Sequence, residues 1–281
     1  NDACILSVRY KLPHINEKCF VDAFEKTTIG LPKQTDRRPK ENIKMVAYHE
    51  AGHTIGALFF KDIFDVRRVT INANNSGAGG YTLFTPKEEV VQFPTKRYML
   101  ANIIVCLGGR AAEMFLYKTQ TKDQTVDHLV FPDIDDLNVT TGASNDIEVA
   151  TSIATNMVTK WGLSDLGPLK YGEDDSSPFL GRSASMAPKG ISGDTANLID
   201  MEVRKIIETD YKKAKKILKD NIDKLHTMAE TLLTYETIDA DQIDDIMAGA
   251  KPRAPKDWDE PKAPQAKRSK KTSIKGPAEE L

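Results

Sequence analysis

The stretch MVAYHEAGHTIGALFF, residues 45–60, carries two histidines and a glutamate inside an otherwise apolar segment. On a helix of 3.6 residues per turn, His49 and His53 project from one face with their Cβ atoms about 5–6 Å apart. Two imidazoles so placed can bind one Zn²⁺, and Glu50 then lies beside the open coordination position. This H-E-x-x-H spacing is typical of zinc hydrolases, in which the glutamate takes a proton from a water that the metal has acidified. The pattern predicts hydrolysis of an amide bond.

The alternative is a surface helix whose polar face spells the motif by chance. The chain has 5 histidines in 281 residues, and random placement gives the motif in roughly one such chain in two hundred. The segment also has a helix start at Pro39 and Lys40. Gly52 costs a helix interior about 1 kcal/mol relative to alanine. Its place between the two histidines therefore predicts that another segment packs very close.

A catalytic zinc needs a third protein ligand, and the residues leave three candidates. Glu113, in GGRAAEMF, lies on a predicted helix at a separation typical of glutamate-type zinc peptidases. Asp146, in TTGASNDIEVAT, lies in the first turn of a predicted helix, whose N-terminus favours the anionic form that a ligand needs. His128 lies in an acidic loop without an evident scaffold. If they bind no metal, Glu113 would form an ion pair with a basic neighbour, and Asp146 would be an ordinary aspartate at the start of a helix.

The composition bounds the class of function. With 281 residues, 40% of them hydrophobic, the chain can bury a substantial core. A net charge of -2 provides no field that would attract nucleic acid, so we expect no nucleic-acid partner. Three cysteines without C-x-x-C spacing indicate a reducing compartment. Neither a run of about 18 apolar residues nor a phosphate-binding G-x-x-x-x-G-K-[ST] motif occurs, which predicts no membrane insertion by these residues and no P-loop.

The remaining pattern predicts a mainly α-helical domain with a small β-hairpin beside the H-E-x-x-H helix. VRRVTIN and GYTLFTP flank the turn-rich NNSGAGG, as strands flank a hairpin loop. A helix follows Pro94, and NDIEVATSIATNMVTKW forms another, with Asn145 and Glu148 at capping-box spacing. A further helical region covers about 194–249, with a break near Asp220.

The chain divides into three predicted parts. Residues 1–31 contain two short helices, residues 32–249 form the main domain, and residues 250–281, rich in proline and lysine, form a disordered tail. Within the main domain, residues 118–140 form an exposed acidic loop. The sequence opens without an initiator methionine, so we expect it to be cut from a longer protein.

The segment GGYTLFT, residues 79–85, is the candidate for holding a substrate. A zinc peptidase must present an extended chain to the metal, and an exposed strand edge does so by backbone pairing. Two glycines allow close approach of another backbone, and such pairing predicts weak sequence preference. The alternative is an ordinary structural hairpin. The candidate substrate-binding residues are Gly79, Gly80, Tyr81, Thr82 and Leu83.

Seven segments resemble the peptidase half of the FtsH family of membrane-bound AAA metalloproteases. They are VAYHEAGH, GGYTLF, GGRAAE, TTGASNDIEVAT, MVTKWGLSDLGPLKYG, FLGRS and YETIDADQIDDIM, and their order also agrees with the family. The resemblance runs, with gaps, from about residue 1 to 249. In that family the aspartate of the S-N-D-I motif is the third zinc ligand, which favours Asp146 over Glu113. The resemblance therefore implies one Zn²⁺ per chain with the ligands His49, His53 and Asp146, and Glu50 as the catalytic residue.

The resemblance also implies a helical peptidase domain that follows an AAA ATPase module and N-terminal transmembrane helices in a homo-hexamer. Residues 1–31 resemble the last helices of the ATPase lid. The full-length parent would be anchored in a membrane, with its peptidase domain facing the cytoplasm or, in a eukaryote, an organelle matrix or stroma. It would be an ATP-dependent zinc metalloendopeptidase that processively degrades unfolded or membrane proteins in quality control.

This chain departs from the family pattern in two respects. It lacks the Walker motifs and transmembrane segments, so ATP would act only through the missing module, and its 118–140 loop is longer than the connector of bacterial members. Two alternative functions stay open at this point. A zinc hydrolase of another class, acting on small peptides, would have a closed pocket instead of an open groove. A metal-free helical scaffold would keep the helices and bind no zinc.

Overall fold

The computed structural model describes residues 1–28, 30, 36–75, 77–120, 139–171 and 192–255. His128 with most of the acidic loop, the FLGRS motif and the tail beyond residue 255 lie outside them. The helices are α1 (Asp2–Arg9), α2 (Glu17–Thr28), α3 (Lys40–Phe59), α4 (Glu88–Gln92), α5 (Lys96–Gln120), α6 (Ser144–Thr159), α7 (Gly193–Asp220), α8 (Ile222–Tyr235) and α9 (Ala240–Met247), and a 3₁₀ turn at Thr141–Ala143 leads into α6. The strands are β1 (Phe64–Thr70), β2 (Tyr81–Pro86) and β3 (Thr237–Asp239). The predicted mainly α fold with a small sheet is confirmed.

Helix α3, which carries the H-E-x-x-H motif, lies at the centre of the fold. It begins at Lys40, directly after Pro39, as predicted. All residues from 50 to 57 are buried, and the helix packs against α5, α8 and β1. The motif therefore does not lie on a surface helix, contrary to the alternative interpretation.

The backbones of α3 and α5 meet where both helices carry glycine. A Cβ atom built on Gly52 would lie 2.5 Å from the carbonyl oxygen of Gly108 and 2.6 Å from the Cβ of Ala112. One built on Gly108 would lie 2.8 Å from the carbonyl oxygen of Gly52. These distances are too short for van der Waals contact, so only glycine permits this approach. The close packing predicted at Gly52 is confirmed.

The predicted hairpin is confirmed as β1 and β2. Both β2 and β3 pair antiparallel with β1, and the strand order is β2-β1-β3. Val69 and Ile238 face each other across β1 and β3 and are fully buried, which joins the sheet to the core. Strand β2 is therefore an edge of the sheet within the described residues, and it contacts α3 as β1 does.

The two predicted N-terminal helices are confirmed as α1 and α2. Asn16 precedes α2, and its side-chain oxygen accepts a hydrogen bond from the amide of Cys19 at 3.1 Å. The buried apolar residues of this pair form a cluster separate from the main core, and they are Ala3, Leu6, Cys19 and Ala23. The domain boundary near residue 31 stays a prediction.

The later helices follow the prediction with one exception. Helix α7 ends at Asp220, where a break was predicted, and α9 begins with a capping box. The capping box predicted for Asn145 and Glu148 is wrong. Ala143 is the N-cap of α6, because the 3₁₀ turn continues into the helix and no side chain caps it. Asp146 therefore lies in the first turn of α6.

Helix α5 has a stretch, Lys96–Leu116, that is long and apolar enough by length and composition to cross a membrane, and it is the only such helix among the described residues. The helix is apolar on average without containing the unbroken apolar run that was sought in the sequence, so the absence of membrane insertion stays a prediction. Its most apolar window is 61% buried inside the protein. The helix packs against α3, α6 and α7, as a core helix does.

We expect Gly52→Ala to lower the free energy of unfolding by about 1–3 kcal/mol, because the new methyl group must displace backbone atoms of α5. Gly56→Ala is the matched control. A Cβ atom there would meet Cα of Val105 at 3.4 Å, an ordinary contact, and alanine is the better helix former. Urea unfolding with a chelator present, followed by circular dichroism, measures both variants. Equal free energies of unfolding would contradict the glycine contact.

Candidate metal centre

Three side chains converge on one point beside the middle of α3. The Nε2 atoms of His49 and His53 are 3.0 Å apart. Oδ2 of Asp146 lies 3.2 Å from Nε2 of His49 and 3.5 Å from Nε2 of His53. Donor atoms in a tetrahedron about 2.0–2.1 Å from a zinc ion would be about 3.3 Å from one another. The three side chains thus have the types and the spacing to hold one metal ion.

The second nitrogen of each imidazole already has a partner. Nδ1 of His53 is 2.8 Å from the backbone carbonyl oxygen of Val105, and Nδ1 of His49 is 2.9 Å from Oε1 of Glu113. A carbonyl oxygen only accepts hydrogen bonds, so Nδ1 of His53 must carry the proton. A carboxylate likewise favours the proton at Nδ1 of His49. When both rings are neutral, their Nε2 lone pairs point at the place where the three side chains meet, as metal ligation requires.

Gly109 in α5 leaves room for the two imidazoles. A Cβ atom there would lie 2.5 Å from Nε2 of His53 and 2.6 Å from Cε1 of His49. Any side chain at this position would fill the space in which the rings meet. The glycine pair of α5 therefore has two functions: Gly108 admits the backbone of α3, and Gly109 admits its histidines.

Glu113, the alternative ligand, lies behind His49. Its side chain is fully buried, and one oxygen contacts Nδ1 of His49 while the other accepts hydrogen bonds from the amide and the hydroxyl of Thr140 at 3.0 and 3.2 Å. Nδ1 and Nε2 are on different sides of the imidazole, so this geometry fits a partner that orients His49 better than it fits a ligand. The sequence left an ion pair as the structural alternative for Glu113, and in the structure the partner of that pair is His49.

Glu50 lies beside the histidines and is only 6% exposed. Its Oε2 accepts a hydrogen bond from the hydroxyl of Thr82, on β2, at 2.9 Å. Burial raises the pKa of the Glu50 carboxyl, although the two histidines and Thr82 oppose the shift. A carboxyl with a raised pKa is better matched to proton transfer near neutral pH than an exposed one.

An open groove of about 670 Å³ passes the point of convergence. One wall is α3, and the other is the segment predicted to hold substrate, of which Gly79, Gly80, Tyr81 and Thr82 line the groove and Leu83 does not. A Cβ atom at Gly80 would lie 2.6 Å from the carbonyl oxygen of Thr70 and 3.1 Å from Cγ of Glu50. Gly80 therefore lets β2 approach both β1 and the buried glutamate.

The charges of the centre favour a cation. Burial by itself lowers the pKa of His49, but hydrogen bonds to Asp146 and Glu113 outweigh it and raise that pKa to about 10. Burial raises the pKa of the Asp146 carboxyl, but hydrogen bonds to His49 and His53 outweigh burial and lower that pKa. Burial likewise raises the pKa of Glu113, and its bonds to His49 and the Thr140 amide lower it overall. Anionic carboxylates thus surround the point of convergence at neutral pH.

Three contacts of the centre have no signal in the sequence. The carbonyl of Val105, the hydroxyl of Thr82 and the amide of Thr140 come from residues 52, 32 and 27 positions away from the groups they bind. A backbone carbonyl has no residue type, and threonine is common everywhere. Gly109 did have a signal, because two adjacent glycines in a predicted helix indicate close packing.

Comparison with known proteins gives a consistent result. The sequence profile of peptidase family M41 matches residues 37–246. The protein named ATP-dependent zinc metalloprotease FtsH from Buchnera aphidicola subsp. Schizaphis graminum is 38% identical over 259 residues, which are 92% of this chain and 39% of that protein. Proteins of the same name from Mycoplasmopsis pulmonis and Haemophilus influenzae are 40% and 37% identical, over 88% and 95% of this chain and 31% and 39% of their own lengths. This chain therefore spans well under half the length of these relatives.

We expect the affinity of the centre for Zn²⁺ to rise by about tenfold per pH unit between about pH 7 and 9. The metal must displace the proton on Nε2 of His49, which faces Asp146, and the pKa of about 10 of this histidine lies above the window. His49 is therefore protonated throughout the window, and each bound ion releases one proton. Competition with a chromophoric chelator at three pH values, corrected for the protonation of the chelator, measures the slope. A flat profile would contradict the proton on His49.

Proposed function

The chain belongs to peptidase family M41, and on that premise we propose that it is the peptidase part of a zinc metalloendopeptidase. The observation that carries the proposal is the convergence of three metal-binding side chains beside a buried glutamate and an open groove. We propose His49, His53 and Asp146 as the ligands of one Zn²⁺ per chain and Glu50 as the catalytic residue. The names of the relatives, which specify a zinc metalloprotease, support this choice of metal.

The donor set suits catalysis because three protein ligands leave a fourth position open. Zinc bound there would supply a Lewis acid that lowers the pKa of water to about 7. Glu50 accepts a proton from the water that attacks the peptide carbonyl and later donates it to the leaving amine nitrogen as the C–N bond breaks. Its raised pKa suits both transfers, and the hydroxyl of Thr82 holds one of its oxygens.

We propose that an extended polypeptide lies in the groove along β2. The candidate residues are Gly79, Gly80, Tyr81, Thr82 and Leu83, of which all but Leu83 line the groove. Within the described residues β2 is an edge strand of the sheet, as a strand that pairs with a peptide backbone must be. Pairing through the main chain predicts weak sequence preference, which suits a peptidase for unfolded proteins.

For the whole protein we propose an ATP-dependent, processive protease. The support is the family match and the names of the relatives, which describe ATP-dependent zinc metalloproteases. Residues 1–31 would end the lid of an AAA module, residues 32–249 would be the peptidase domain, and residues 250–281 would be a disordered tail. The parent would be a membrane-anchored homo-hexamer that degrades unfolded or membrane proteins, with its peptidase domain facing the cytoplasm or an organelle matrix or stroma.

Neither alternative function is favoured by these findings. The family match argues against a metal-free helical scaffold and against a zinc hydrolase of another class. The shape of the site also argues against the latter, because a hydrolase for small peptides would enclose its substrate, whereas this groove is open along a strand edge.

We expect His49→Ala, His53→Ala and Asp146→Ala each to lose stoichiometric zinc, whereas Glu50→Gln keeps the metal and fails to cleave casein. The first three changes remove a metal donor, and the fourth removes only the group that moves the proton. Elemental analysis of the purified variants, together with release of fluorescent fragments from labelled casein, separates metal binding from chemistry. A Glu50→Gln variant that cleaves casein at the parental rate would contradict the proposed role.

Glu113→Ala distinguishes an orienting residue from a ligand. We expect it to weaken zinc binding by about 10–100-fold and not to abolish it, because loss of such a partner leaves all metal donors in place. Glu148→Ala, an exposed carboxylate in the same turn as Asp146, is the matched control and should retain full affinity. An empty site in Glu113→Ala combined with a filled site in Asp146→Ala would reverse the ligand assignment.

We expect the chain to cleave casein slowly without nucleotide and to be unaffected by ATP. The chemistry needs only zinc, water, Glu50 and an extended peptide, whereas a folded substrate stabilised by about 5–15 kcal/mol rarely exposes its backbone. The assay compares casein with a tightly folded protein that carries an unstructured tag, each with and without ATP and each with a chelator control. Destruction of the folded protein in an ATP-stimulated manner would show that the chain contains a motor.

A further inference from the structure

Arg38 joins the segment before α3 to the strand that lines the groove. Its Nη1 donates to the carbonyl oxygen of Gly79 at 2.7 Å, and its Nη2 donates to the carbonyl oxygen of Ile71 at 2.6 Å. Ile71 directly follows β1, and Gly79 lies two residues before β2. One guanidinium therefore connects both ends of the hairpin loop.

Asp36 fixes the orientation of that guanidinium. Nε of Arg38 lies 2.9 Å from each carboxylate oxygen of Asp36, and Nη2 lies 2.5 Å from Oδ2. Oδ1 of Asp36 also accepts a hydrogen bond from the backbone amide of Arg38 at 2.9 Å. All three guanidinium nitrogens thus have partners, and the planar fork of arginine meets a set of acceptors that a lysine ammonium would not match.

The strand end that Arg38 contacts passes directly beside Glu50. A Cβ atom built on Gly79 would lie 3.1 Å from Nη1 of Arg38 and 3.2 Å from Cγ2 of Val46. One built on Gly80 would lie 2.9 Å from Cγ1 of Val46 and 3.1 Å from Cγ of Glu50. The backbone is therefore enclosed between Arg38 and α3 at the point where β2 begins to form the groove wall, and a displacement of Gly79 would move that wall.

We propose that Arg38 is a positioning residue that holds the edge of β2 where an unfolded polypeptide pairs with it. This inference rests on the proposed function, because it takes the groove along β2 as the substrate site. A strand edge that is ordered before substrate arrives does not have to be ordered by binding, which improves affinity. None of the side-chain hydrogen bonds described for Arg38 reaches the metal-binding side chains. Arg38 therefore acts through the strand that binds substrate, and we expect its loss to affect substrate affinity more than the chemical step.

The test compares Arg38→Gln with Arg204→Gln in the full 281-residue chain loaded with zinc. Arg204 forms an exposed ion pair with Glu208 within α7. Arg204→Gln is therefore the matched control, because it also removes one arginine and one ion pair. Labelled casein is the substrate, and elemental analysis gives the zinc content. We expect Arg38→Gln to raise KM by about tenfold with kcat changed by less than about twofold and zinc unchanged, because only the ordering of the strand is lost. Arg204→Gln should match the parent.

Hydrogen exchange gives a second readout that does not depend on catalysis. In Arg38→Gln the amides of residues 80–84 should exchange faster, while those of α8 should not change, because the edge strand alone loses its attachment. Loss of zinc, a fall in kcat at constant KM, unchanged exchange in residues 80–84, or an equal rise of KM in Arg204→Gln would each overturn the role of Arg38. A parent chain without zinc-dependent cleavage would instead overturn the proposed function, and this inference with it.

Discussion

The proposed metal centre depends on the backbone contact between α3 and α5. At Gly52 and Gly108 the two helices approach so closely that a Cβ on either would lie less than 3 Å from a carbonyl oxygen, 2.5 Å in one case and 2.8 Å in the other. One residue further along α5, Gly109 provides the space in which His49 and His53 bring their Nε2 atoms together. Each glycine weakens its helix by about 1 kcal/mol, and the buried contact offsets that loss. The histidines are consequently positioned by the core and not by loops, which gives donor atoms a fixed separation.

Helix α5 supplies none of the three proposed ligands, yet it positions all of them. The Val105 carbonyl orients His53, and the Glu113 carboxylate orients His49. Glu113 also accepts two hydrogen bonds from Thr140, at the start of the turn that leads into α6 and its aspartate. A carboxylate buried this completely would be unfavourable without partners. The bonds to His49 and Thr140 therefore stabilise the charged Glu113 side chain. Through this single side chain, the orientation of a ligand on α3 is coupled to the placement of the ligand on α6.

The sequence predicts the parts of this arrangement that depend on local spacing. The H-E-x-x-H pair follows from the helical repeat, and the hairpin follows from its turn residues. Asp146 could not be chosen over Glu113 by spacing, since both are carboxylates on predicted helices, and only family resemblance favoured it. The buried contacts of Glu113 with His49 and Thr140 then explain why a carboxylate outside the proposed ligand set lies at the centre. The capping box at Asn145 was wrong because the 3₁₀ turn extends into α6. The contacts of Val105, Thr82 and Arg38 join distant segments, and no local pattern specifies them.

The two walls of the groove are stabilised in different ways, and the difference follows from what each wall must do. The α3 wall is buried and held by helix packing, because its donor atoms must not move. An edge strand that pairs with substrate must keep the backbone groups on its outer side free, so it cannot be fixed through them. Strand β2 is instead held by pairing with β1 and by the hydrogen bond from Thr82 to Glu50 on α3. Arg38 holds the segment just before the strand through the carbonyl oxygen of Gly79. The strand that would bind the peptide thus also contacts the residue that would move the proton, which places the peptide backbone and the general base on one rigid framework.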